Sequence, residues 1–203
     1  LLSGARTVVS AALCYYAPEP EQPPGTGRLP RYTWRDAYAE LREKLDALGR
    51  ALGGEYRVLV DENDHVDREA AARSGVGFYG KNTMLITRRH GSWVVLGTLV
   101  SDVDLDPTPA LPVDCGSCTL CIDACPTGAL DEPGVLDANL CLSWRTQAAG
   151  AIPEPLSITH SRALASTSSV RNVRRRSTTF FSLIASAALM MRLRKTWPRR
   201  ASL

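Results

Sequence analysis

The chain has 203 residues, 44% of them hydrophobic, and a formal net charge of +3; this is room for one ordinary domain, or a domain plus a small module, and it excludes wholesale disorder. No apolar run reaches membrane-span length, since the longest, Phe180 to Met191, has 12 residues and is interrupted by serines. The charge is laid down unevenly: Ser157 to Leu203 holds ten basic residues and no Asp or Glu, so residues 1–156 carry fourteen basic against twenty-one acidic residues, a net of −7.

Residues 6–16 are a short apolar, β-prone run predicted to form a buried strand. Residues 17–31, with five prolines and two glycines, read as a loop. Asp36–Gly49 is the clearest helix: Leu41, Leu45, Leu48 and Leu52 make one apolar stripe, while Glu40, Arg42, Glu43, Lys44 and Asp46 face water. Gly53 and Gly54 close it, because glycine takes the left-handed cap without steric cost. Tyr56–Asp61 reads as a strand and His65–Arg73 as an alanine-rich helix closed by Ser74 and Gly75. Thr83–Thr87 and Trp93–Val100 are apolar and β-branched, and the Arg89-His90-Gly91-Ser92 link between them predicts a hairpin. Strand, helix, strand, helix, then paired strands is an α/β or α+β layered pattern. The Pro-rich segment 106–112 is the expected linker, dividing the chain into an α/β domain (1–108), a cysteine module (109–156) and a low-order basic tail (157–203).

Six cysteines, four of them at 115, 118, 121 and 125, are too clustered for a secreted disulfide scaffold. They point to metal binding in a reducing, cytoplasmic compartment without a membrane partner. Cys115, Cys118, Cys121 and Cys125, with Pro126 after the last, have the spacing of bacterial ferredoxin ligation to a 4Fe-4S cluster. Two-residue gaps let consecutive thiolates curl around one face of a cube, with the intervening amides pointing at its sulfides. The fourth cysteine is expected to leave on a helix and reach a second cluster, for which Cys141 is the nearby partner. Zinc sites instead place two Cys-x-x-Cys knuckles on either side of a longer loop. Cys14, in an apolar strand, reads as a core thiol.

The neighbours of the cysteines carry more. Val60-Asp61, the run Ala71 to Ile86 with Gly75-Val76-Gly77-Phe78-Tyr79-Gly80-Lys81-Asn82-Thr83 inside it, Gly91-Ser92-Trp93, and Cys115 through Leu130 together resemble the epoxyqueuosine reductase family. The three glycines follow a helix rather than open one, so they do not make a dinucleotide fingerprint; they read as a loop whose backbone approaches a large planar ligand. The resemblance covers roughly residues 5–156. It implies a cobalamin domain followed by a two-cluster ferredoxin module. The implied activity is reductive removal of an epoxide oxygen from a modified tRNA anticodon base, with electrons from a donor protein passing through the clusters.

Asp61 matches the family's proton-donating acid. A strand-end carboxyl above an apolar, cofactor-covered pocket is expected to have a raised pKa; the structural alternative is a helix N-cap, for which Asp64 competes. By position, Tyr32, Asn82, Thr83 and Ser143 are the expected cobalamin neighbours, although Tyr32 reads equally as a packing aromatic. Glu62-Asn63-Asp64-His65 departs from the family's Gly-Pro-containing turn, and His65 reads as an exposed helix-start histidine. Beyond Leu156 the family pattern stops, and no cysteine follows Cys141. Cys115, Cys118 and Cys121 then supply three ligands of four, and Cys125 with Cys141 two of four. A frameshift or truncation accounts for this better than an evolved nucleic-acid arm built on Arg174-Arg175-Arg176. The rival readings are a reductive dehalogenase, a plain electron-transfer module and an inactive fragment.

Overall fold

The apolar run near the start of the chain becomes the strand β1 (Thr7–Cys14), which lies antiparallel to β5 (Val94–Ser101) along its whole length, from Thr7 opposite Ser101 to Cys14 opposite Val94. The computed structural model describes residues 2–18, 20–21, 30–62, 65–147, 149 and 190–192. On its other edge β5 pairs with β2 (Tyr56–Leu59), also antiparallel, so β1 and β2 run parallel to each other with β5 inserted between them. Three residues of the basic segment, β6 (Met190–Arg192), add to the free edge of β1, giving the order β2-β5-β1-β6. The rest of 157–203 lies outside the described residues, as do most of the Pro-rich loop and Asn63 and Asp64.

Strand alternation gives the sheet two faces. Val9, Leu13, Val95 and Leu99 point to one side and pack against α1 (Ala37–Leu52) through Leu41 and Leu45, which are 1% and 2% exposed. Burial of each such leucine contributes about 1.5–3 kcal/mol. Gly97 lets α1 approach this face: a Cβ there would meet Leu45 at 2.8 Å and Leu41 and Val60 at 3.0 Å. The Asp36 side chain caps α1 by accepting from the Ala39 N–H at 2.9 Å, and Gly53 and Gly54, both at positive φ, end it. On the opposite face Val8, Leu59 and Val100 pack against Ala70 of α2 (Asp67–Arg73). The architecture is a mixed α/β fold with helices on both faces of an antiparallel sheet.

One expectation is corrected. The segment around Thr83–Thr87 does not form a hairpin with β5. Instead β4 (Leu85–Ile86) folds back on β3 (Phe78–Tyr79) as a separate two-stranded sheet, while the Thr87–Gly91 turn closes only an isolated bridge. Both edges of β5 are already taken, by β1 and β2, so β4 has to pair elsewhere. The expected linker, 106–112, is mostly exposed and touches the end of α2. The Thr108 hydroxyl donates to the Ser74 carbonyl at 3.0 Å, and the Pro109 carbonyl sits over Gly75, where a Cβ would meet it at 2.5 Å.

Candidate functional site

β2 stops at Leu59, two residues short of the predicted strand, and the chain turns sharply at Asp61, whose φ is +57°. Side chains rarely take this left-handed conformation, though Asp tolerates it better than most. Asp61 is exposed at the rim of a pocket of about 180 Å³ that also takes in Tyr38, Asp67, Arg68, Met84 and Leu85, with residues of β5 as its floor. The second left-handed non-glycine residue, Thr83 at φ +62°, is buried beside the same pocket. For a β-branched residue this is a genuine outlier. It is held from two directions, by its own N–H to Gly80 O at 3.0 Å and by Arg68, which donates to its carbonyl at 2.7 Å. Strained residues persist where the surroundings over-determine them, and they gather at functional sites.

Asp61 is not a helix cap. The N-cap of α2 is Val66, whose side chain offers no hydrogen bond, and Asp64 lies outside the described residues. The carboxyl with the displaced pKa is Asp67, raised from 3.8 to about 6, by burial first and then by the charge of Asp61, with Arg68 and the Thr98 hydroxyl pulling the other way. Thr98 Oγ1 stands close enough to favour the ionised form but outside hydrogen-bond geometry, and both it and Asp67 Oδ1 are buried without a partner. His65 is not the exposed histidine that its position suggests. Its side chain is 7% exposed, its Nε2 lies 3.9 Å from Asp67 Oδ1, and burial lowers its pKa. The Tyr38 hydroxyl is raised by burial and then by Asp61. Tyr38, Asp67 and Arg68 went unread in the sequence. Their signals were Tyr38 three residues ahead of the Leu41 stripe and a charged pair opening an otherwise alanine-rich helix.

The four expected cobalamin neighbours stand in different local settings. Tyr32, in the 3-10 turn Arg31–Thr33, stacks edge-on against Tyr15 at 6.5 Å, which favours the packing-aromatic reading. Asn82 uses its side chain in its own turn, accepting from the Met84 N–H at 3.1 Å. Thr83 is buried next to Met84, which lines the pocket, and Ser143 is exposed on α4 (Leu142–Gln147). The glycines of the Gly-x-Gly-x-x-Gly run meet protein rather than open space. A Cβ on Gly77 would meet Ile86 O at 2.5 Å, and one on Gly80 would meet the Ile86 side chain at 2.5 Å. Within the protein, these glycines allow close approach of the β3–β4 hairpin and of Pro109.

The cysteine segment is built from turns. Cys118 donates its N–H to Cys115 O at 3.0 Å, Cys121 lies in the one-turn helix α3 (Leu120–Asp123), and the Cys125 N–H returns to Ile122 O at 3.0 Å. Past Cys125-Pro126 the chain continues in turns to Leu130 rather than on a helix, which corrects the sequence reading. The thiols sit among donors suited to thiolates. Burial by itself would raise the Cys125 thiol, but the backbone N–H groups of Thr127, Leu130 and Ala129 and the Thr127 hydroxyl outweigh it and bring the thiol below its usual range. Cys115 Sγ accepts from the Lys81 N–H at 3.4 Å. Among the described residues no three Cys, His, Asp or Glu side chains gather about one point. The fit to iron and sulfide rests on the donor chemistry: thiols at the 115, 118, 121 and 125 spacing followed by Pro126, with N–H donors directed at Cys115 and Cys125.

Residues 114–166 match the family model of the 4Fe-4S double cluster binding domain. Over 163 residues the chain is 39% identical to the epoxyqueuosine reductase of Lactococcus garvieae, covering 75% of this chain and 46% of that protein. Two solved structures superpose on it. One is an epoxyqueuosine reductase with an epoxyqueuosine-modified tRNA-Tyr stem loop (39% identity, TM-score 0.69, 75% of this chain and 44% of that one). The other is the Bacillus subtilis epoxyqueuosine reductase with its catalytic aspartate loop swung out of the active site (36% identity, TM-score 0.71, 78% and 45%). The chain spans about half the length of the curated relatives it matches. No helix among the described residues is long and apolar enough to cross a membrane.

Proposed function

We propose that this chain, a homologue of the epoxyqueuosine reductases over three quarters of its length, carries the proton-donating and electron-delivering parts of an enzyme that reduces epoxyqueuosine to queuosine in a tRNA anticodon. The observation that carries this reading is the placement of Asp61. The residue that matches the family's acid stands in a strained conformation at the mouth of a pocket, beside a second carboxyl, Asp67, whose pKa burial raises to about 6.

The reaction consumes two electrons and two protons: the epoxide oxygen leaves as water and a carbon–carbon double bond remains. Cys115, Cys118, Cys121, Cys125 and Cys141 would hold iron–sulfur clusters, which when bound would supply electrons one at a time. Asp61 gives a proton to the departing oxygen as a general acid. Asp67, raised to about 6, is a second proton store behind it, and Tyr38 and Arg68 shape the walls. The pocket, at about 180 Å³, is smaller than the roughly 300–1,000 Å³ that encloses a drug-sized ligand. A pocket of this size has room for the reacting end of a substrate. Cobalamin is proposed on the resemblance alone, and the acid role of Asp61 on the resemblance together with its place at the pocket. A tRNA substrate and a separate electron donor are proposed on the same footing.

The test is turnover. The anaerobically reconstituted protein, supplied with cobalamin and a reductant, is given an epoxyqueuosine-modified stem loop, and loss of one oxygen is followed by mass spectrometry. Asp61→Asn keeps the shape and removes the proton, so turnover should fall about 10²–10⁴-fold with iron content and corrin absorbance unchanged. Near-normal turnover would take Asp61 out of the mechanism. Iron binding without any corrin binding would leave an electron-transfer module.

A further inference from the structure

Lys81 makes three contacts to the cysteine segment and none of them is accounted for by the pocket. Its backbone N–H points at Cys115 Sγ at 3.4 Å, and its ammonium donates to Gly116 O at 2.7 Å and Cys118 O at 3.0 Å. Its own carbonyl accepts from the Gly134 N–H at 2.8 Å, so the loop that returns towards Cys141 is tied to the same residue. Lys81 lies in the tight turn Gly80–Met84, closed by Gly80 N to Met84 O at 2.9 Å. The far end of that turn is at the pocket: Met84 lines it, and Thr83 is pinned by Arg68.

We propose that Lys81 is the positioning residue that clamps the first cluster's cysteine loop against the pocket and sets that cluster's reduction potential. This deepens the proposed function and rests on its iron–sulfur reading. The physics has two parts. An N–H directed at a ligand sulfur and a cation beside the loop both favour the more negative, reduced cluster, because cluster potentials follow hydrogen bonds to sulfur and local net charge. A single short turn that touches both the pocket wall and Cys115 also fixes the distance an electron crosses, which a flexible linker would leave variable.

The test uses the full 203-residue chain reconstituted anaerobically with iron and sulfide, read by metal and sulfide analysis and by a redox titration followed by electron paramagnetic resonance. Lys81→Gln keeps the backbone N–H and removes the cation, so the midpoint should move to a more negative potential at unchanged iron content. Lys81→Arg should stay with the unaltered chain. Loss of iron in Lys81→Gln with retention in Lys81→Arg also supports the clamp, since the cation is then required to hold the loop. An unmoved midpoint in Lys81→Gln, or equal iron loss in both variants, overturns the proposal. An unaltered chain without iron or sulfide overturns the iron–sulfur reading beneath it, a separate and distinguishable failure.

Discussion

Burial, and behind it the charge of Asp61, holds the Asp67 carboxyl at about 6, although Arg68 is the next residue in the chain. A raised acid binds its proton more tightly folded than unfolded. Its contribution to stability is therefore present below about 4 and is lost as pH rises through about 6. The gap from 3.8 to about 6 corresponds to roughly 3 kcal/mol at most. Asp67→Asn should abolish this slope and make the protein more stable than the unaltered chain at pH 7.5, but not at pH 4.5. Urea denaturation at both values checks it, and parallel pH profiles would contradict it.

Arg68→Ala should loosen the turn that carries both Thr83 and Lys81. The lost bond is a charged donor to a strained backbone carbonyl, 2.7 Å long, and its removal should cost about 1–2 kcal/mol. It also removes the cation that restrains Asp67, so the Asp67 pKa should climb further. A chemical-shift titration of the Asp67 carboxyl separates this second effect from simple destabilisation.

Gly75→Ala should destabilise the protein by about 1–2 kcal/mol through its left-handed backbone alone, and by more through the Pro109 carbonyl that a Cβ would strike. Because the segment 106–112 touches the end of α2 through this contact, limited proteolysis should cut there faster in the variant. Unchanged cleavage would mean that the segment is held by other contacts.

Anaerobic reconstitution should yield iron and acid-labile sulfide, with zinc at most a trace. Cys115→Ser or Cys121→Ser should lower the iron content, while Cys14→Ser should leave it alone, because Cys14 lies at the end of β1, opposite Val94 and within the sheet. Stoichiometric zinc without sulfide would reverse the assignment.

The α1 stripe, the β1 run, the paired glycines after Leu52 and the cysteine spacing were legible in the sequence because each is a local pattern. Periodicity within one helix, a run within one strand and intervals within one loop need no knowledge of the rest of the chain. Asp61 was legible only through resemblance, since nothing local distinguishes it from a cap. What tertiary structure alone decided is every relationship that depends on a contact far along the chain. With both edges of β5 occupied, β4 had to pair with β3. α2 packs on the sheet face opposite α1, and Asp67 at its start comes beside His65 and Thr98 at the pocket. The Gly80–Met84 turn places Lys81 on Cys115, 34 positions away. Local patterns specify elements, but the pKa of a carboxyl and the partner of a lysine are set by the neighbours that packing delivers.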